Sequence, residues 1–208
     1  LYAKVLSQFR RGELDILIGT QMIAKGLHFP NVTLVGIVNA DMGLFMPDFR
    51  AAERSFQLLT QVAGRAGRGE VKGEVLVQTC TPFNPPLMYA AGHDYEGFYR
   101  EEIAIREELK YPPFGHMMIV HFRGEDPEGI LRTAAELMEK VRPQLDPETI
   151  VSEPAPAPIE RVKGKYRFMA AFRSGKLAPL RRALRREIYS VRRPDVEIYV
   201  DVDPISML

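Results

Sequence analysis

A single cysteine, Cys80, is the whole thiol content of this 208-residue chain. That excludes an internal disulfide and leaves no thiolate cluster for zinc. The four histidines, His28, His93, His116 and His121, show none of the spacings of a metal site. No apolar run approaches the roughly 20 residues that a bilayer-spanning helix requires, so no membrane partner is expected. Leu1 to Gly12 carries Lys4, Arg10 and Arg11 without an apolar stretch, which argues against a signal peptide. The chain opens at Leu1 inside an amphipathic pattern and reads as a fragment, with cytoplasmic residence as the matching expectation. Excess charge is lacking too, at a net +1. The distribution is less even: between Arg161 and Arg193 the only acid is Glu187.

What is present is enough for a core. A composition 46% hydrophobic and 26% charged supports one large domain or two small ones. The first third alternates in the α/β manner. Leu1 to Arg11 has helical apolar spacing, and Leu14 to Ile18 and Val32 to Val38 are apolar runs suited to buried parallel strands. Asp48 is placed to cap a long helix with Phe49, Ala52, Phe56, Leu59 and Val62 on one face, and Val71 to Gln78 reads as another strand. After Pro82, Pro85 and Pro86, a polar amphipathic helix is expected from about Met88 to Leu109, stopped by Tyr111-Pro112-Pro113.

The last third has a different rhythm. Met117 to Arg123 reads as a strand and Asp126-Pro127 as a helix start, followed by a stripe at Ile130, Ala134, Leu137 and Val141. Thr149 to Ser152 is a short strand, and Pro154, Pro156 and Pro158 suggest a polyproline-like passage. Tyr166 to Phe172, a helix carrying Leu177, Leu180, Leu184, Ile188 and Val191, and Val196 to Val202 complete a strand-helix-strand-strand-helix-strand order. That order points to a ferredoxin-like α+β sandwich. The expected division is 1–84, a linking helix at 85–110, and 111–208. The nine methionines read as core filling, and Glu101, Glu102, Glu107 and Glu108 as a solvated helix face.

The strongest chemical signal is Gln61-Val62-Ala63-Gly64-Arg65-Ala66-Gly67-Arg68. Arg65 and Arg68 are three apart and project from one side near a helix end. Two guanidiniums facing a cleft suit phosphoryl transfer, because charge builds on the γ-phosphoryl oxygens, and such a finger is worth on the order of 10³ to 10⁵ in rate. Upstream, Thr20 and Gln21 follow an apolar run and offer a hydroxyl, an amide and backbone N–H groups to a phosphate. Lys25 adds charge, and Gly26 permits close backbone approach.

The octapeptide resembles motif VI of superfamily 2 helicases, and the Gly19 to Gly26 stretch resembles motif V in the right order. Further phrases are similar to those of the primosomal protein N-prime (PriA) family of replication-restart helicases: Lys25-Gly26 with His28-Phe29-Pro30, Asp48-Phe49-Arg50 with Ala52-Glu53-Arg54, Tyr111-Pro112-Pro113-Phe114, and Asp201-Val202-Asp203-Pro204. The resemblance implies a RecA-like second helicase lobe followed by a C-terminal domain. It also implies ATP and Mg²⁺ bound with a first lobe, and 3′-to-5′ DNA unwinding at stalled or branched forks. Forked or single-stranded DNA, primosome proteins and single-strand-binding proteins would be partners. Gln61, Arg65 and Arg68 would act on the nucleotide with Gly26 beside it, and Thr20, Gln21 and Lys25 would face DNA. Neither a G-x-x-x-x-G-K-[ST] loop nor an Asp-Glu pair occurs here, so this stretch is not expected to hydrolyse ATP alone. Zinc is implied only for a cysteine-rich insertion elsewhere in such a protein.

A second candidate surface is basic. Arg181, Arg182, Arg185 and Arg186 avoid the apolar stripe of their helix. Arg161, Lys163, Lys165 and Arg167 surround Gly164 with Tyr166 among them, a pattern suited to phosphate contacts and base stacking. A solvated helix face or a docking surface for the first lobe remains open, as do a non-enzymatic DNA- or partner-binding module and a different superfamily 2 helicase.

Overall fold

The computed structural model describes residues 2–24, 29, 32–64 and 73–207. Two compact units are present. One combines the residues up to Phe45 with Ala51–Phe98, and the other combines Met46–Arg50 with the residues from Tyr99 onward.

In the first unit, helix α1 (Tyr2–Arg10) precedes strand β1 (Leu34–Ile37), a short α2 (Asp41–Leu44), α3 (Ala51–Ala63), strand β2 (Glu74–Val77) and α4 (Pro85–Ala91). The two strands pair in parallel, with Leu34 opposite Glu74 and Ile37 opposite Val77. Their C-terminal ends are tied by one carboxylate. Asp41 accepts hydrogen bonds from Thr79 Oγ1 at 2.6 Å, Cys80 N at 2.7 Å and Thr81 Oγ1 at 2.8 Å. Those donors, Thr79 foremost, hold its carboxyl below the usual carboxylate range. Behind the strands, Phe56, Leu59, Leu87, Ala90 and Phe98 form the core. The rings of Phe56 and Phe98 stack 4.2 Å apart.

Three sequence expectations are corrected here. Leu14–Ile18 forms no strand among the described residues and bends at Asp15, and Ile16 and Ile18 are 77% and 90% exposed. An apolar run encodes an extended habit but cannot name the partner that would bury it. The helix after Asp48 starts only at Ala51, and Asp48 accepts from the Arg50 backbone before it and from the tail at Met207. The single helix expected from Met88 is two helices, α4 and α5 (Tyr95–Glu108), because Gly92, His93 at φ 51° and Asp94 turn the chain between them.

The second unit contains β3 (His116–Gly124), α6 (Pro127–Val141), β4 (Ile150–Val151), β5 (Ala155–Val162), β6 (Lys165–Ser174), α7 (Leu177–Ser190) and β7 (Val196–Val202). Its antiparallel sheet runs β4-β6-β3-β7, with β5 also on β6. This is the ferredoxin-like order, so an α/β lobe followed by an α+β sandwich is the fold observed. The proline-rich passage is a strand after all. Proline cannot donate to a ladder, but β5 sits beside β6 with its register broken between Pro156 and Arg161, where edge strands tolerate it.

Helices α6 and α7 cover one sheet face through Val120, Phe122, Ile130, Leu137, Phe168, Phe172, Leu180 and Leu184, all buried. Residues of β3 that alternate to the other face, Met117, Ile119 and His121, are buried as well. There the chain after β7 turns back at Asp203. Its N–H donates to Met117 O at 2.7 Å, and its Oδ1 accepts from Met117 N at 2.9 Å.

Asp126 caps α6, accepting from Glu128 N at 3.1 Å and Gly129 N at 2.9 Å, with Pro127 at the first helical position. Asp126→Ala should cost about 1 kcal/mol and Asp126→Asn much less, read as the shift in urea midpoint of the far-ultraviolet dichroism. Equal midpoints for Ala and wild type would contradict the cap.

Candidate functional site

Helix α3 forms because its apolar residues recur at helical spacing and bury Phe56, Leu59 and Val62. That places Gln61, between two inward positions, on the exposed side of the last turn. Gly64 N donates to Thr60 O at 3.0 Å and continues the helical bonding past Ala63. A 3₁₀ turn at Gln21–Ala24 packs against α3. It opens with Ile23 N donating to Thr20 O at 3.0 Å, and Thr20 and Gln21 are exposed. The structure therefore brings the turn that begins at Thr20–Gln21 against the helix that carries Gln61. Lys25, Gly26, Arg65 and Arg68 lie outside the described residues. Thr60 Oγ1, one residue before Gln61, is buried without a hydrogen-bond partner among the described residues.

In the second unit, α7 turns Leu180, Ala183, Leu184 and Glu187 inward and leaves Arg181, Arg182, Arg185 and Arg186 exposed. Glu187 is held by Gln144 Nε2 at 2.8 Å, which, ahead of Ser190, lowers its pKa. Arg186 approaches it at 3.5 Å. The hairpin between β5 and β6 turns at Lys163 (φ 50°) and Gly164 (φ 83°). Lys163 and Arg161 are exposed there.

The other hairpin residues depart from expectation. The Arg161 guanidinium lies 4.9 Å over the Tyr166 ring, whose other surroundings are the core, so that face is not open to a base. Lys165 is paired with Glu197. Arg167 lies at the register position facing Arg123 and donates to Ile159 O at 3.5 Å, rather than joining an open basic tip.

A further cluster escaped the sequence reading. Asp48, 8% exposed, accepts from Arg50 N at 2.9 Å, Ser206 Oγ at 3.1 Å and Met207 N at 3.1 Å. Beside it Phe49 stacks on Tyr111, with centroids 5.2 Å apart and planes 13° from parallel. Arg106 lies 5.4 Å over Phe49 and Arg173 lies 4.4 Å over Tyr111. Arg173 also donates to Leu109 O at 2.7 Å. No periodicity announces such a meeting of three short phrases.

His121, on the non-helical face of β3, stacks on Tyr199 at 4.6 Å, and its Nδ1 is buried with no partner among the described residues. Burial, reinforced by Arg167 and opposed by Asp201, holds its pKa below the ordinary histidine range. It is a packed, neutral ring. Among the described residues no group of three or more His, Cys, Asp or Glu side chains is arranged to hold a metal, and no helix is long and apolar enough to cross a membrane.

Comparison with known proteins gives two family matches. Residues 107–205 match the primosomal protein N C-terminal domain and residues 3–70 the helicase conserved C-terminal domain. The replication restart protein PriA of Bacillus subtilis is 41% identical over 100% of this chain. Those of Synechocystis and Chlamydia muridarum are 41% and 39% identical over 98% and 97% of it. The chain spans 26%, 24% and 27% of those relatives' own lengths.

Because the folded pKa of His121 is depressed, its contribution to stability is complete above the unfolded value near 6.5 and is lost as pH falls below it. The urea midpoint should therefore drop between pH 7 and pH 5. His121→Phe, which keeps a ring on Tyr199, should flatten that drop. An unchanged pH dependence in His121→Phe would assign the effect to other groups.

Proposed function

From the premise that this chain belongs to the PriA family of replication restart proteins, we propose that it is the second motor lobe and C-terminal domain of an ATP-dependent DNA helicase. In this reading the residues up to about 84 complete a nucleotide site on the lobe side. Residues 85–110 link, and residues from 111 hold DNA or a partner. The intact protein would unwind DNA 3′ to 5′ at stalled or branched forks and take part in primosome assembly, with single-strand-binding protein among its partners.

The observation that carries the reading is the packing of the Thr20–Gln21 turn against α3 while Gln61 stays exposed in that helix's last turn. The Gln21–Ala24 turn thus packs against the helix that contains Gln61 and continues in sequence to Arg65 and Arg68. Bound ATP with Mg²⁺ supplies the phosphoryl group that is transferred to water. Gln61 offers an amide to orient the water or a phosphate oxygen. Arg65 and Arg68 offer guanidiniums to the charge that develops on the γ-phosphoryl oxygens. Thr20, Gln21 and Lys25 would contact the DNA backbone. Gly26 would leave room for close approach of the nucleotide. With no phosphate-binding loop pattern in the chain, it provides half a site and should not turn over ATP alone.

On the C-terminal domain, Arg181, Arg182 and Arg185 are exposed. Together with Arg186, Arg161 and Lys163 they make the surface best suited to a phosphate backbone. Lys165 and Arg167 contribute less, because each is already engaged within the sheet.

Two measurements test this. In the intact protein Arg68→Ala should lower ATP turnover by on the order of 10³ while DNA affinity stays near wild type; retained turnover would contradict the role. For the 208-residue chain, affinity for forked DNA should fall steeply with salt. Neutralising Arg181, Arg182, Arg185 and Arg186 to Gln should reduce the log–log slope by up to about 4. A wild-type slope in that variant would remove α7 from the DNA surface.

A further inference from the structure

On the non-helical face of the second unit's sheet, register places Arg123 of β3 beside Arg167 of β6 on one side and Glu197 of β7 on the other. Directly opposed like charges weaken a sheet, and a single carboxylate stands among two arginines and a lysine. Lys165 is paired with one Glu197 oxygen, and Arg123 Nη1 lies 3.7 Å from the other. Arg123 Nε is buried with no hydrogen-bond partner among the described residues, although 30% of the side chain is exposed. A buried donor left unfilled is costly. The next row along the same face is Met169, His121 and Tyr199. There His121 Nδ1 is a second buried nitrogen with no partner among the described residues. Tyr199 stacks on His121 and is 46% exposed. Because β7 ends the strand order, no further strand among the described residues covers its outer side.

We propose that this end of the sheet face binds one nucleotide of a single DNA strand, with Arg123 and Arg167 on its phosphate and Tyr199 against its base. A phosphate diester suits the arginines in three respects. It offsets two opposed like charges, gives Arg123 Nε an acceptor, and matches the planar fork of a guanidinium. Neighbouring rows on one face of a strand are about 7 Å apart, so the arginines and the ring fall within the reach of one nucleotide. Stacking on an exposed ring tolerates any base, and it requires a base free of its own duplex stack, which selects an unpaired strand. Glu197 is already matched by Lys165. Asp201, opposite Ile119 on the far side of the Tyr199 row, disfavours a second phosphate there. Helix α7 covers the other sheet face, so this site is separate from its arginine strip. The two share only the reading that this domain meets DNA.

The test uses the 208-residue chain with a short oligothymidylate and, as second probe, inorganic phosphate. Burial first, and then the charge of Arg167, lowers the His121 pKa, so a nuclear magnetic resonance titration of that ring reports on the site. Saturating oligothymidylate should raise the His121 pKa in the wild type. In Arg123→Gln/Arg167→Gln the value should start higher and stay put. That variant should bind the strand about tenfold more weakly, with a log–log salt slope shallower by about 0.7, the share of one single-strand phosphate. Tyr199→Leu should weaken binding about tenfold at an unchanged slope, and Tyr199→Phe, which keeps the ring, should bind like wild type. A His121 pKa indifferent to the strand would overturn the proposal, as would affinity within twofold of wild type in either weakened variant. Equal losses in Tyr199→Phe and Tyr199→Leu would reduce Tyr199 to packing and have the same result. An equal response to inorganic phosphate at the same concentration would make this a site for free anions and also sink it. The variant with all four α7 arginines changed to Gln separates the two surfaces. If it keeps the wild-type slope while its His121 pKa still responds, the α7 reading fails and this one stands.

Discussion

A carboxylate almost shut off from water has to have its oxygens filled by donors, because desolvating a charge without compensation costs several kcal/mol. Among the donors that meet that requirement at Asp48 are Arg50 N, Ser206 Oγ and Met207 N, from two stretches of chain more than 150 residues apart in sequence. Much of the second unit follows from it. The tail is brought back over the sheet. It is pinned a second time at Asp203, whose Oδ2 lies 2.9 Å from His116 Nδ1. The aromatic ring next to Asp48 is thereby placed on Tyr111. Removing any one of these attachments leaves the others without their geometry, so the cluster acts as a unit rather than as a set of separate contacts.

The same cluster answers a packing problem set by the sheet. Strand β3 is central, and its residues are buried on both faces. Two helices suffice for one face, where Phe122, Ile130 and Phe172 interdigitate. The opposite face has no helix of the ferredoxin pattern to cover it. There Tyr111, Met117, Met169, Arg173 and Met207 line an open cavity, and His121 stacks on Tyr199. A histidine in that position is tolerated as a neutral aromatic, and its lowered pKa records the burial.

Periodicity carried most of the second unit. The strand expected at Val196 to Val202 is observed with those bounds, and the stripe of α6 and the Asp126 cap are both in place. These elements are legible because each buries one face and repeats at a fixed spacing. The failures share a different cause. Leu14–Ile18 is apolar but lacks a paired neighbour, β5 is paired despite its prolines, and α4 and α5 part at a turn that helical spacing does not register. In each case the deciding partner lies elsewhere in the chain. Of the candidate site, Gln61 lies on the exposed side of the last turn of α3, Thr20 and Gln21 lead into a 3₁₀ turn with no strand before them among the described residues, and Lys25, Gly26, Arg65 and Arg68 stand outside the described residues. The phrases around Asp48, Tyr111 and Asp203 were visible as short motifs. Their meeting was not, since aromatic stacking and tail docking have no period in sequence.

Net charge hid the basic surface for a related reason: it is a sum, whereas a phosphate backbone responds to local fields. Several acids of the second unit are already engaged. Glu136 is 2.9 Å from Lys140 and 3.0 Å from Arg193, Glu197 pairs with Lys165, Asp146 with Lys176, and Glu153 with Arg142. Hydrogen bonds, ahead of the charges themselves, hold Glu136 and Glu197 ionised below their usual range. Each pair cancels locally, and exposed pairs of this kind contribute little to stability. What they leave behind is the outer face of α7, whose arginines must face water on one side because Leu180 and Leu184 face the core on the other. A nearly neutral chain can thus present a concentrated positive strip, and the helix phase that buries the leucines is what concentrates it.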